Sequence, residues 1–149
     1  MILPDVNILV HAFRTDASEH PLCGPWLASV VAGDAAFGIS RLALSTVVRI
    51  TTNPRVYRVP SSFQDVFGFC EDLLRQPHVQ LVEPGERHWD VFQRLCIETN
   101  TRGTDVTDAW FAALAIEAGC EWITLDRGFA RFPGLRWRAP TSQAPAGRS

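Results

Sequence analysis

The stretch "GTDVTDAWFAALAIEAG", Gly103 to Gly119, sets the strongest limit on the fold. From Ala109 onward, Phe111, Ala112, Leu114, Ala115 and Ile116 leave hardly any polar face, so a helix here has to be buried rather than laid on a surface. It runs into "CEWITLD", which reads as a strand. A buried helix that feeds a strand needs further layers to cover it. Yet Asp105 and Asp108 stand at its head, where a purely structural helix would need at most one acid as a cap.

The rest of the chain supplies the covering elements. "MILPD" reads as a short strand and "VNILVHAF" as the turn and helix after it. "HPLCGPWLASVVAG" is a helix with Pro25 near its first turn and Gly33 at its end. "AFGIS" is a strand, and Ser40 caps the helix "RLALSTVVRITT", which Asn53-Pro54 stops. "SSFQDVFGFCEDLLRQ" carries a helical stripe of Phe63, Val66, Phe67, Cys70, Leu73 and Leu74. "VQLVEP" is a strand, and "GERHWDVFQRLCIETN" a helix with Trp89, Phe92, Leu95 and Cys96 on one face. "LRWRAP" is a candidate last strand. This alternation predicts an α/β fold with a mainly parallel central sheet, right-handed crossovers and helices on both faces. The 149 residues suit one domain, expected over 1–140, with a small, polar tail over 141–149 expected to be flexible.

Composition narrows the function classes. A hydrophobic content of 46% with 20% charged residues describes a globular chain, and no apolar run approaches the roughly 20 residues of a membrane span. The apolar start lacks a basic segment and is broken by Pro4 and Asp5, which argues against a secretory signal. Cys23, Cys70, Cys96 and Cys120 show no C-x-x-C spacing and are expected to be reduced thiols in a cytoplasmic protein. All 14 basic residues are arginine, so any mechanism that needs a catalytic lysine is excluded. The net charge of -2 announces no global attraction to nucleic acid.

The acids carry the chemistry. In parallel sheets, ligands bind beyond the carboxyl ends of the strands. Asp5 and Asp126 fall at two such ends, and Asp105 and Asp108 head the helix before the second. Asp105 reads either as an N-cap or as a member of the same acidic group, since residues three apart share a helix face. Carboxylates gathered in a low-dielectric site repel, and a divalent cation removes the conflict. Hard oxygen ligands, with no histidine or thiol expected nearby, favour Mg²⁺ or Mn²⁺ over zinc. Such a site beside arginines suggests phosphodiester cleavage by a metal-activated water. Arg49, Arg55, Arg58, Arg127 and Arg131 are the candidate phosphate holders.

"DVNILVHAFRTDASEH", "VVRITTNPRVY" and "TDVTDAWFAALAIEAGCEWITLDRGFARFPGLRW" together resemble the PIN-domain VapC ribonuclease toxins, most closely the branch abundant in mycobacteria, from Met1 to about Pro140. The resemblance implies a metal-dependent endoribonuclease that cuts structured cellular RNA (tRNA or rRNA) and inhibits translation and growth. It also implies a homodimer and a cognate VapB-type antitoxin. By position, Asp5, Asp108 and Asp126 match the family acids, and Asn7 the polar residue two after the first; Thr124 supports the strand-end acid. The family commonly has a glutamate where this chain has Thr46, and Asp105, which recurs in the branch, is expected to replace its charge. A PIN-like module that binds RNA or antitoxin without cleaving is the alternative that Thr46 leaves open. Receiver domains and haloacid-dehalogenase-type phosphatases also place acids at strand ends, but both rely on a lysine.

Overall fold

Five short strands define the sheet of the computed structural model, which describes residues 1–141; most of the expected tail, 142–149, lies outside the described residues. They are β1 (Ile2–Pro4), β2 (Phe37–Ile39), β3 (Val79–Leu81), β4 (Glu121–Ile123) and β5 (Trp137–Arg138), in the order β3-β2-β1-β4-β5, every neighbouring pair parallel. Six helices connect them: α1 (Val6–Phe13), α2 (His20–Ala32), α3 (Arg41–Thr51), α4 (Phe63–Leu74), α5 (His88–Thr99) and α6 (Val106–Ala118). Successive strand residues point to opposite faces, and Phe37, Gly38 and Ile39 are all buried, so both faces of the sheet are covered. The expected α/β architecture is the one observed.

The local reasons are those the sequence offers. Ser40 Oγ accepts the Ala43 N–H and caps α3; Ser62 Oγ accepts the Asp65 N–H and caps α4. The apolar helix α6 is buried along Ala109 and Phe111 to Ala115. It ends on Gly119, whose φ of 69° lies in the left-handed region that only glycine adopts without cost, and this turns the chain into β4. Trp122 of β4 is fully buried between Phe111 and Phe129, with ring centroids 5.4 and 5.5 Å away.

Three expectations need correction. α2 begins at His20, so Pro21 occupies the first turn and Pro25 lies inside the helix. Trp89 does not join the buried face of α5, which is built on His88 and Leu95; Trp89 is 62% exposed. On α4 the buried stripe is Val66, Cys70 and Leu73, while Phe63 and Phe67 stack on each other at the surface. In both helices the core takes a narrower strip than the apolar pattern offers. Cys23, Cys70, Cys96 and Cys120 are all free thiols, and burial pushes Cys23 up to about 11. Among the described residues no helix is long and apolar enough to cross a membrane.

Candidate active site

The chain leaves β1 toward β2 on one side and returns to β4 on the other, so the sheet's topological switch point lies between β1 and β4. At its carboxyl edge a cavity of about 420 Å³ opens, lined in part by Asp5, Asn7, Thr46, Asp108 and Asp126. Asp5 follows β1 directly, and its N–H donates to the Ile123 carbonyl of β4 at 2.8 Å, which brings the two strand ends together.

The Thr124 hydroxyl, fully buried, ties the group. It donates to Asp5 Oδ2 at 2.7 Å and accepts from Asn7 Nδ2 at 3.3 Å and from the Asp126 N–H at 3.0 Å. Asn7 Oδ1 also takes the Leu125 N–H at 3.3 Å. Asp5 Oδ1 accepts the Val6 N–H at 2.6 Å, so both of its oxygens face donors. Asp126 Oδ1 accepts the Gly128 N–H at 2.8 Å, where it caps the 3-10 turn Arg127–Arg131. The backbone thus holds Asp5, and the Asp5–Thr124–Asn7 cluster is set before any ligand arrives.

Electrostatics mark the same residues. Burial pushes the Asp5 carboxyl from 3.8 up to about 6, against the pull of Thr124 and Val6 and with the help of the negative charges of Asp108 and Asp126. Asp108 is also raised, first by burial and then by Asp126 and Asp105, while Arg131, 3.3 Å away, opposes the rise. The donor set fits a hard divalent cation: three carboxylates on one cavity whose mutual repulsion a cation would relieve. Among the described residues, no three acidic, histidine or cysteine side chains stand close enough to hold one ion as they are placed.

The other expected site residues divide between the cavity and the surface around it. Asp105 precedes α6 at the end of a 3-10 turn, is exposed, makes no capping hydrogen bond and does not line the cavity. It reaches the site only through its charge on Asp108. Thr46 lines the cavity, but its hydroxyl donates to the Leu42 carbonyl at 3.0 Å, one turn back in α3. Arg131 pairs with Asp108, whereas Arg49, Arg55, Arg58 and Arg127 are exposed and outside the cavity lining.

Sequence reasoning missed His11 and Tyr57, and a histidine does stand beside the acids. Both line the cavity. His11 lies four residues after Asn7 on α1, on the same face, a spacing that could have flagged it. Its Nδ1 accepts the Glu19 N–H at 3.0 Å. A backbone N–H can only donate, so the neutral ring in this geometry carries its proton on Nε2. Nothing in the sequence pattern near Tyr57 marked it, because the loop after α3 folds back over α1. Arg14 makes that fold: it forks onto Asp16 at 2.8 and 2.6 Å, donates to the Val59 carbonyl and Ser61 Oγ at 2.8 and 3.0 Å, and covers the Tyr57 ring at 4.0 Å from the centroid.

Comparison with known proteins gives a consistent picture. The PIN domain family matches residues 2–135. Ribonuclease VapC43 of Mycobacterium tuberculosis is 40% identical over 140 residues, which cover 94% of this chain and 95% of that one. Ribonuclease VapC25 of the same species is 38% identical, covering 94% and 99%. Among solved structures, VapBC2 from Rickettsia felis, bound to a DNA fragment of its promoter, superposes with a TM-score of 0.68 at 17% identity, covering 95% of this chain and 100% of that chain. VapC20 of Mycobacterium tuberculosis, described as a sarcin-ricin loop cleaving toxin, gives 0.66 at 12%, covering 91% and 99%. At these identities the two structures speak for the fold alone.

Proposed function

The chain belongs to the PIN-domain family, in its VapC ribonuclease branch, and from that premise we infer that it is a Mg²⁺-dependent endoribonuclease toxin that cuts structured cellular RNA and so blocks translation. The observation that carries this reading is the meeting of Asp5, Asp108 and Asp126 on one cavity at the switch point of the sheet. These three carboxylates would hold the cation, with Asp105 adding negative charge from outside the cavity; Mn²⁺ meets the same demand for hard oxygen ligands. Such an ion supplies an activated water and neutralises charge on the leaving oxygen.

The chain's own groups prepare that chemistry. Thr124 and the Val6 N–H orient Asp5, and Asn7 braces Thr124 from the other side. Burial keeps Asp5 in surroundings where charge interactions are strong, while Asp108 is half-buried and Asp126 exposed. Arg131, held against Asp108, stands where it can turn a guanidinium N–H to a phosphate oxygen, and Arg49, Arg55 and Arg127 are available to backbone phosphates farther along the RNA. Thr46 leaves the site one carboxylate short of the common family pattern, and the charge of Asp105 on Asp108 supports its role as a partial replacement.

The partner reading follows the family. VapBC2 of Rickettsia felis is a toxin–antitoxin pair, and we expect this chain to bind a VapB-type antitoxin, to form a homodimer and to act in the cytoplasm, where its RNA is. The test is cleavage of total cellular RNA by the purified chain with Mg²⁺, with EDTA, and with Asp108→Asn. Cleavage that survives either EDTA or the substitution would refute the metal-dependent assignment.

A further inference from the structure

The cavity that the carboxylates share has a second chemistry in its lining. Val10, Ile50 and Phe111 contribute apolar groups, Tyr57 an aromatic ring and His11 an imidazole whose Nδ1 is engaged by the Glu19 N–H. Metal-assisted hydrolysis makes no use of an aromatic ring. The volume, about 420 Å³, falls within the range that takes a drug-sized or nucleotide-sized ligand. Tyr57 is also held in place: Arg14 lies on its ring and ties the loop that carries it to α1 through Val59 and Ser61. With four of its five N–H groups' directions used within the protein, Arg14 acts as a brace and not as a phosphate ligand.

We propose that Tyr57 is a platform for one unpaired RNA base beside the scissile phosphate, with His11 donating from Nε2 to an oxygen of the same nucleotide. This deepens the ribonuclease reading and rests on it for the identity of the ligand. A base inside a duplex cannot reach a side-chain ring in a recess, so the platform selects a nucleotide that is unpaired or splayed out. Stacking tolerates any base, because each has a π-face, so the site sets the strand state required rather than the sequence read. Arg14 is a positioning residue here: its cation lies over one face of the ring, 4.0 Å from the centroid, and a base would take the other.

Tyr57 is the chain's single tyrosine, which permits a direct test. Incorporation of 3-fluorotyrosine places one ¹⁹F label at the platform of the full-length chain. In EDTA, adenosine 5′-monophosphate and a mixed-sequence single-stranded oligoribonucleotide should shift that resonance, whereas ribose 5-phosphate and a fully paired RNA duplex should not. A resonance unmoved by the first two, or moved as far by ribose 5-phosphate, would overturn the proposal. In Mg²⁺, Tyr57→Ala should raise KM for RNA cleavage roughly tenfold, and Tyr57→Phe, which retains a ring, should raise it much less. An unchanged KM in Tyr57→Ala also refutes the platform. The two readings separate cleanly: cleavage without a ¹⁹F shift removes the platform and leaves the nuclease, while a shift without cleavage does the reverse.

Discussion

Replacing Asp5 by asparagine should stabilise the metal-free protein at neutral pH while disabling it. The rise of the Asp5 carboxyl from 3.8 to about 6 means that ionising it in the folded chain costs about 3 kcal/mol, at about 1.4 kcal/mol per pH unit. The sign follows from proton linkage. The folded state holds this proton more tightly than the unfolded one, so the associated stability is fully present below 3.8 and is lost as pH rises through about 6. Asparagine escapes that cost but brings a smaller one. Val6 N–H and Thr124 O–H each donate to a different oxygen of Asp5, and an amide has only one oxygen. One donor would then face the amide NH₂, at about 1–2 kcal/mol. The balance at about pH 7.5 is a gain of about 1–2 kcal/mol, or a melting temperature higher by roughly 3–6 °C in EDTA. Near pH 4.5 most of the ionisation cost has gone, and the two proteins should melt within about 1 kcal/mol of each other. Thermal denaturation followed by circular dichroism across this pH range measures the difference directly. An offset independent of pH, or a variant less stable at pH 7.5 than at 4.5 relative to wild type, would refute the account of Asp5 as a buried, strained carboxylate. Added Mg²⁺ should raise the wild-type melting temperature and leave that of Asp5→Asn nearly unmoved, since binding stabilises only a state that retains its ligands.

Further outcomes follow from the same contacts. Thr124→Val, close in shape, leaves Asp5 Oδ2, Asn7 Nδ2 and the Asp126 N–H without their common partner, and should cost about 2–3 kcal/mol in urea denaturation together with most of the RNA cleavage. Asp105→Asn should leave the melting temperature unchanged, because Asp105 makes no capping bond, yet raise the Mg²⁺ concentration needed for half-maximal cleavage; wild-type metal dependence would reduce it to a surface residue. Adding Thr46→Glu to that variant should restore part of the activity, measured in the same titration. Removing the cap with Ser40→Ala should cost about 1 kcal/mol of stability without touching metal dependence, a control for the acid substitutions.

Chain order alone was enough for the architecture. The alternation of strands and helices, the nearly featureless apolar face of α6 and the strand-end positions of Asp5 and Asp126 follow from local periodicity and turn chemistry, which neighbouring residues determine between themselves. Packing decided the membership of the site. Thr124 reaches Asp5 across 119 positions because β1 and β4 are neighbours in the sheet, and strand adjacency is not written in either strand. Asp105 and Asp108 look equivalent by spacing, but α6 begins between them, so Asp108 turns into the cavity and Asp105 stays in solvent. His11 and Tyr57 line one cavity because Arg14 draws a loop more than 40 residues away onto α1. Which apolar residues remain at the surface, such as Phe63, Phe67 and Trp89, was likewise fixed by how narrow a strip the neighbouring helices could cover. Local sequence chooses an element and its faces; only the burial of those faces against distant ones determines which side chains share a cavity.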